Sequence, residues 1–208
     1  VPGVETTTGP LGQGLANGVG MALAERMLAA RFNTEERKVV DHRTFVLAGD
    51  GDIMEGITGE AASLAGHLRL GKLKVIYDSN RITIDGATDL AFSEDTAARF
   101  RAMGWQVVAG VDGHDLEALE QAFTAALARE DRPTLLIVES VIGRGCPSLA
   151  GKAAVHGAPL GEEELARTRE ALGWPAGRAF HIPPGAGRPL EEGAARGERA
   201  RRKWAEGM

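Results

Sequence analysis

The spacing of apolar positions along the chain switches repeatedly between a helical period and short unbroken runs. A loop rich in Gly, Pro and Thr comes first, from residue 1 to Gly14. From Leu15 the spacing is helical, with Leu15, Val19, Ala22, Leu23, Met27 and Ala30 on one face. Asn33 to Arg43 is a polar linker. Phe45 to Ala48 is a four-residue apolar run, suited to a strand buried in a covered parallel sheet. A small-residue segment from about Thr58 to Leu70 reads as a helix, and Lys74 to Asp78 as the next strand. Arg81 to Asp89 is a loop. Ser93-Glu94-Asp95 opens another helix, with Ser93 as its N-cap and acids in the first turn.

Trp105 to Val111 is a strand, and Asp115 caps a helix carrying Leu116, Leu119, Ala122, Phe123, Ala126 and Leu127 on one face. Thr134 to Ser140 is a strongly apolar strand. Gly143 to Pro159 is a long loop, Glu162 to Leu172 an acid-led helix, and His181 to Pro189 a Pro/Gly-rich linker. Leu190 to Trp204 is a charged helix or a frayed end. Strands alternate with helices throughout, which predicts an α/β fold: three layers, a parallel sheet with helices on both faces.

Composition changes this picture little. The 208 residues suffice for one domain with a sizeable core. The net charge of −5 gives no broad basic surface, so no nucleic-acid partner is expected. Cys146 is the single cysteine, which excludes an internal disulfide and a cysteine-rich zinc site. It precedes a proline in a loop and nothing marks it as a nucleophile. No signal peptide and no apolar run of ~18 residues is seen, so a soluble, cytoplasmic protein without membrane contact is expected.

The candidate chemistry sits where the first strand stops. Gly49-Asp50-Gly51 places an aspartate between two glycines at the carboxyl end of a strand, the edge at which open α/β sheets bind ligands. The helix expected from Thr58 would turn its positive end toward the same spot and favour phosphate. From Gly51 to Asn80 the chain runs the length of one βαβ crossover, so parallel neighbours would bring Asp50 and Asn80 to one edge. A carboxylate and an amide oxygen, completed by phosphate and water, suit Mg²⁺. Taken alone, Asp50 and Asn80 would be ordinary turn residues; the pairing gives them a ligand role. Gly12-Gln13-Gly14 ahead of a helix invites a dinucleotide reading, which fails because no strand precedes it and Asn17 stands where the third glycine is needed.

The motifs Gly9-Pro10-Leu11-Gly12-Gln13-Gly14, Gly49-Asp50-Gly51 with Glu55-Gly56, Asp78 to Gly86, Asp112-Gly113-His114-Asp115 and Val155-His156-Gly157-Ala158-Pro159 occur in an order that resembles the transketolase family of thiamine-diphosphate enzymes. The resemblance runs from Val1 to about Trp174. It implies the thiamine-diphosphate-binding fold and transfer of a two-carbon ketol group from a ketose phosphate to an aldose phosphate, as in the pentose phosphate pathway. The implied cofactors are thiamine diphosphate and Mg²⁺, with Ca²⁺ or Mn²⁺ able to stand in its place.

Carried over residue by residue, the resemblance implies metal binding by Asp50, Asn80 and the backbone carbonyl of Ile82. Gly51 would offer its N–H to the diphosphate, and Gly9, Leu11 and Ile84 would line the pocket for the two rings; core packing is the plainer role for Leu11 and Ile84. His156 would contact diphosphate and substrate, as the one catalytic side chain in this stretch. Many relatives carry a further histidine three residues earlier, where this chain has Ala153. Glu55 and Glu60 match glutamates at a dimer interface. His42, His67, His114 and His181 read as surface or structural.

The expected organisation is a diphosphate-binding domain over 1–180, lacking its N-terminal part, and from 181 to 208 a linker toward an absent pyrimidine-binding domain. The expected partners are sugar phosphates and either a second copy in a homodimer or a second chain carrying that pyrimidine-binding domain. Dihydroxyacetone and deoxyxylulose phosphate synthases, or a non-catalytic subunit of a split enzyme, are the alternatives.

Overall fold

The computed structural model describes residues 3–175 and 180–207. Its centre is a parallel four-stranded sheet of β1 (Thr44–Gly49), β2 (Leu73–Ser79), β5 (Gln106–Asp112) and β6 (Thr134–Glu139), in the order β1-β2-β6-β5. One face is covered by α1 (Gln13–Phe32), α3 (Gly56–His67) and α4 (Thr96–Ala102), the other by α5 (Leu116–Leu127). The expected three-layer α/β class is therefore found. A one-turn helix α2 (Asp50–Met54) follows β1 directly. A small hairpin, β3 (Ile82–Thr83) and β4 (Gly86–Ala87), lies inside what reads from sequence as a plain loop. Helices α6 (Glu162–Ala171) and α7 (Arg188–Glu206) complete the described chain. Among the described residues no helix is long and apolar enough to cross a membrane.

The larger core lies under α1, α3 and α4, where Leu15, Val19, Val46, Ile53, Ala62, Val75, Phe100, Trp105 and Leu135 pack together. The glycines of α1 and α3 explain how closely these layers approach. A Cβ on Gly18 would stand 2.3 Å from Val46 Cγ2, and one on Gly66 would stand 1.8 Å from the Met103 carbonyl oxygen. Trp105 sits edge-on to Phe100 with ring centroids 5.1 Å apart and donates its indole N–H to the Ala62 carbonyl at 2.8 Å.

Several expectations are corrected. β1 is not buried on both faces: Val46 and Ala48 point into the core, while Phe45 is 51% and Leu47 83% exposed. An unbroken apolar run carries no record of which face is covered. The helix expected over 58–70 begins at Gly56 and ends at His67, and the separate helix α2, not expected from the sequence, starts at Asp50. The cap of α4 is Asp95, which accepts the Ala98 N–H at 2.8 Å, rather than Ser93. On α1 the buried stripe runs through Glu25, whereas Met27 is exposed. Glu25 is tolerated there because the Lys72 ammonium lies 2.6 Å away. On α5, Leu116 is exposed while Ala122 and Ala126 are buried. Asp115 does cap α5, accepting from Glu117 and Ala118. The charged helix near the end spans Arg188–Glu206 and rests on the 33–43 linker, where the Trp204 indole donates to the Val39 carbonyl at 3.0 Å. The expected boundary at residue 180 adjoins residues 176–179, which lie outside the described residues.

Candidate functional site: a buried aspartate joining two strand ends

Because β1 and β2 are parallel and in register from Thr44↔Leu73 to Gly49↔Asp78, both chains leave the sheet side by side. Asp50 therefore meets the residues that follow β2. Its side chain is buried, with the residue 5% exposed. Oδ2 accepts the backbone N–H groups of Asn80 at 3.0 Å and Arg81 at 2.9 Å, and Oδ1 accepts the Tyr77 hydroxyl at 2.6 Å. A carboxylate offers about four lone-pair positions. Three are used, and the open one is on Oδ1.

Tyr77 is the partner that sequence inspection misses. Burial, and then the adjacent Asp50 carboxylate, hold its hydroxyl protonated far above the usual phenol range. Its position on the α1–α3 face of β2 is the signal that could have found it, since an inward tyrosine needs a partner for its hydroxyl.

The loop after β2 is tightly formed. Arg81 has φ +64, a left-handed conformation costly for a residue with a side chain. Its N–H bond to Asp50 helps hold it there. The Asn80 amide oxygen accepts the Ile82 N–H at 3.0 Å, leaving one lone pair on that oxygen. In the hairpin, Arg81 O accepts from Thr88 N, so Ile82 and Ala87 form the non-hydrogen-bonded pair. The Ile82 backbone groups accordingly point away from β4, toward the side where Asn80 lies.

On the other flank stands the loop of residues 9–12 that leads into α1. Leu11 Cδ1 lies 3.0 Å from where a Cβ on Gly51 would be, so a side chain at 51 would displace Leu11. Leu11 is 51% and Ile84 71% exposed, so neither is a core residue. Gly51, in the first turn of α2, has no acceptor for its N–H within the helix. Asp52 ties the two segments: Oδ1 accepts the Gly12 N–H and Oδ2 the Gly49 N–H, each at 2.8 Å. Asp52 carries a signal in the sequence, an acid three residues after the N-cap Gly49, which marks the helix start but not the reach to Gly12.

The structure thus brings Asp50, Asn80 and Ile82 together directly, with Gly51 and Leu11 beside them. Gly9, two residues before Leu11, is exposed, with open space where a Cβ would stand. His156 is exposed, and no hydrogen bond or ion pair joins its imidazole to a described residue. Its loop follows β6 and so leaves the sheet at the same edge, with Val155 packed against Gly143. Glu55 and Glu60 are exposed.

Among the other candidates, His114 is structural, its Nε2 accepting the Val141 N–H at 3.1 Å. Cys146 is buried and donates its thiol to Glu164, which also accepts the Ser148 N–H at 2.8 Å. The Cys146 thiol and the Ser148 amide hold the Glu164 carboxyl down at about 2. Among the described residues no group of three or more His, Cys, Asp or Glu is placed to hold a metal.

The residues present fit a diphosphate chelated through a hard cation. Asp50 Oδ1 and Asn80 Oδ1 each keep one free lone pair, both are oxygens, and position 51 has no side chain to bar an approaching anion. Residues 1–208 match the family described as "Transketolase, thiamine diphosphate binding domain". The chain is 59% identical over 182 residues to the chromosomal transketolase of Cupriavidus necator, covering 88% of this chain and 27% of that protein. It is 52% identical over 210 residues to transketolase 2 of Escherichia coli, covering 99% of this chain and 30% of that one.

Among solved structures, transketolase from Leishmania mexicana superposes with a TM-score of 0.95 at 43% identity, over 100% of this chain and 31% of that chain. A Pichia stipitis transketolase in complex with sedoheptulose 7-phosphate gives 0.94 at 40%, with the same coverage. The chain therefore spans between a quarter and a third of the length of these relatives. On the full-length family match and these identities, the chain belongs to the family of transketolase thiamine-diphosphate-binding domains.

Proposed function

We propose that this chain supplies the diphosphate- and metal-binding part of a transketolase, which moves a two-carbon ketol group from a ketose phosphate to an aldose phosphate. The observation that carries the reading is the buried Asp50 carboxylate clasping the Asn80–Arg81 backbone. It ties two sequence motifs a full crossover apart together at one edge of the sheet. The family match supports the cofactor, and the sedoheptulose 7-phosphate bound in the Pichia stipitis relative supports a sugar phosphate as substrate.

In this reading Asp50, Asn80 Oδ1 and the Ile82 carbonyl would hold Mg²⁺, or Ca²⁺ or Mn²⁺ in its place, as hard oxygen ligands suited to a diphosphate complex. Gly51 donates its N–H to a diphosphate oxygen. Gly9, Leu11 and Ile84 line the pocket for the rings, and the exposed apolar surface of Leu11 and Ile84 is available for that. His156 donates a hydrogen bond near the phosphates and the substrate. Thiamine diphosphate, when bound, supplies the nucleophilic carbon for ketol transfer, and the protein orients it.

Residues 1–180 form the diphosphate domain, and 181–208 begin the connection toward a pyrimidine-binding domain. The chain's protein partner is a second copy in a cytoplasmic homodimer, or a second chain carrying that domain. The test is a ketol-transfer assay with thiamine diphosphate and Mg²⁺, on the chain alone and mixed with a polypeptide carrying the pyrimidine-binding domain. Transfer in the mixture only, abolished by Asp50→Asn, is expected. Turnover by the chain alone, or none in the mixture, would overturn the proposal.

A further inference from the structure

Asp52 is not among the residues that would touch a metal or a diphosphate, yet both of its carboxylate oxygens are engaged. Its two oxygens accept backbone N–H groups from separate segments, Gly12 at 2.8 Å and Gly49 at 2.8 Å. An N–H···carboxylate bond is about twice as strong as a neutral one. The Gly49 bond is ordinary helix-end capping. The Gly12 bond is not, because it reaches 40 positions back to another loop. The Asp52 backbone is fixed in turn, since its carbonyl accepts the hydroxyl of the fully buried Thr58 at 2.5 Å.

What Asp52 grips is a loop pressed hard against the turn. Gly12 has φ +76, and a Cβ there would lie 2.7 Å from Ile57 Cγ2 and 2.9 Å from Glu55 Cβ. The preceding residue is Leu11, half exposed and lying over Gly51. Two aspartates a single residue apart therefore divide the work. Asp50 holds the Asn80–Arg81 loop on one side of the turn, and Asp52 holds the Leu11–Gly12 loop on the other.

We propose that Asp52 is a positioning residue that fixes Leu11 over the Gly51 turn, and so sets affinity for the organic portion of a diphosphate ligand without contributing to its metal-diphosphate portion. The ligand half of this inference rests on the diphosphate-binding reading above. The loop half stands on the hydrogen bonds alone.

The test compares wild type, Asp52→Asn and Asp52→Ala by two measurements. The first is amide hydrogen exchange of the ligand-free chain. Gly12 and Gly49 should lose protection at least tenfold in Asp52→Ala and less in Asp52→Asn, which keeps one acceptor. Asn80 and Arg81, held by Asp50, should be unchanged and report that the fold is intact. The second is calorimetric titration with Mg²⁺ and either thiamine diphosphate or inorganic pyrophosphate. Thiamine diphosphate affinity should fall tenfold or more in Asp52→Ala, while pyrophosphate affinity stays within about twofold. Unchanged Gly12 exchange overturns the loop half. Equal losses for both ligands, or no loss for thiamine diphosphate, overturn the ligand half. A wild-type chain that binds neither ligand overturns the functional reading and the ligand half with it, and the exchange data still decide whether Asp52 holds the loop.

Discussion

Replacing Asp50 separates its structural from its chemical work. In Asp50→Ala three donors lose their acceptor at once: the Tyr77 hydroxyl, itself buried, and the N–H groups of Asn80 and Arg81. A buried donor left unmatched costs about 1–3 kcal/mol. The two amides belong to half-buried or exposed residues that water can reach, so each sits at the low end. The sum is about 3–5 kcal/mol, a large part of the ~5–15 kcal/mol that holds a typical domain.

Asp50→Asn is different. Its amide oxygen can still accept from Asn80 and Arg81, and its NH₂ can donate to the Tyr77 hydroxyl, which accepts as well as donates. The expected cost is about 1–2 kcal/mol, yet the charge that would bind a cation is gone. Urea unfolding of wild type and both variants, at neutral pH with chelator present, reads the two costs from the midpoints at equal slope. If Asp50→Ala is no less stable than Asp50→Asn, the carboxylate is not the tie between the two strand ends and the argument for a site organised by Asp50 fails.

Three further predictions rest on other parts of the fold. Gly66→Ala should destabilise the chain by several kcal/mol in the same unfolding assay, because a Cβ would sit 1.8 Å from the Met103 carbonyl oxygen, a backbone atom that cannot turn aside. Lys74, buried at the start of β2 with its ammonium on the Arg129 carbonyl at 2.6 Å, is pulled down to about 8 by desolvation. The unfolded chain then holds more protons between pH 8 and about 10.5, so stability should rise with pH across that window, and the rise should vanish in Lys74→Met. Glu164 has its folded pKa depressed to about 2, so its contribution is present above about 4.5 and lost as pH falls toward 2. Glu164→Gln should flatten the acid limb of the unfolding profile, and an unchanged limb would show that the Cys146–Glu164–Ser148 contact does not support the loop.

Much of the framework was legible because it depends on local pattern. The alternation of strands and helices, and the place of Asp50 and Asn80 at one sheet edge, follow from strand length and crossover length. What was hidden depends on contacts between distant segments. No local pattern says that Tyr77 and Asp50 share a hydrogen bond, or that Asp52 reaches Gly12 rather than solvent. Phe45 and Leu47 look like their buried neighbours because apolarity marks a strand but not its covered face. Ser93 and Asp95 are equally good caps by type, and only the direction in which the chain enters α4 selects Asp95. His156 lies in an aperiodic loop, where its motif alone singled it out, and it stands exposed with no described partner.

The most direct test of the account is calorimetric titration of thiamine diphosphate into the wild-type chain and Asp50→Asn, first with Mg²⁺ and then with EDTA. Binding to wild type that requires Mg²⁺ and disappears in Asp50→Asn, a variant expected to stay folded, is the predicted result. Binding that is indifferent to EDTA, or retained in Asp50→Asn, would contradict the claim that the Asp50–Asn80 edge holds a metal-chelated diphosphate.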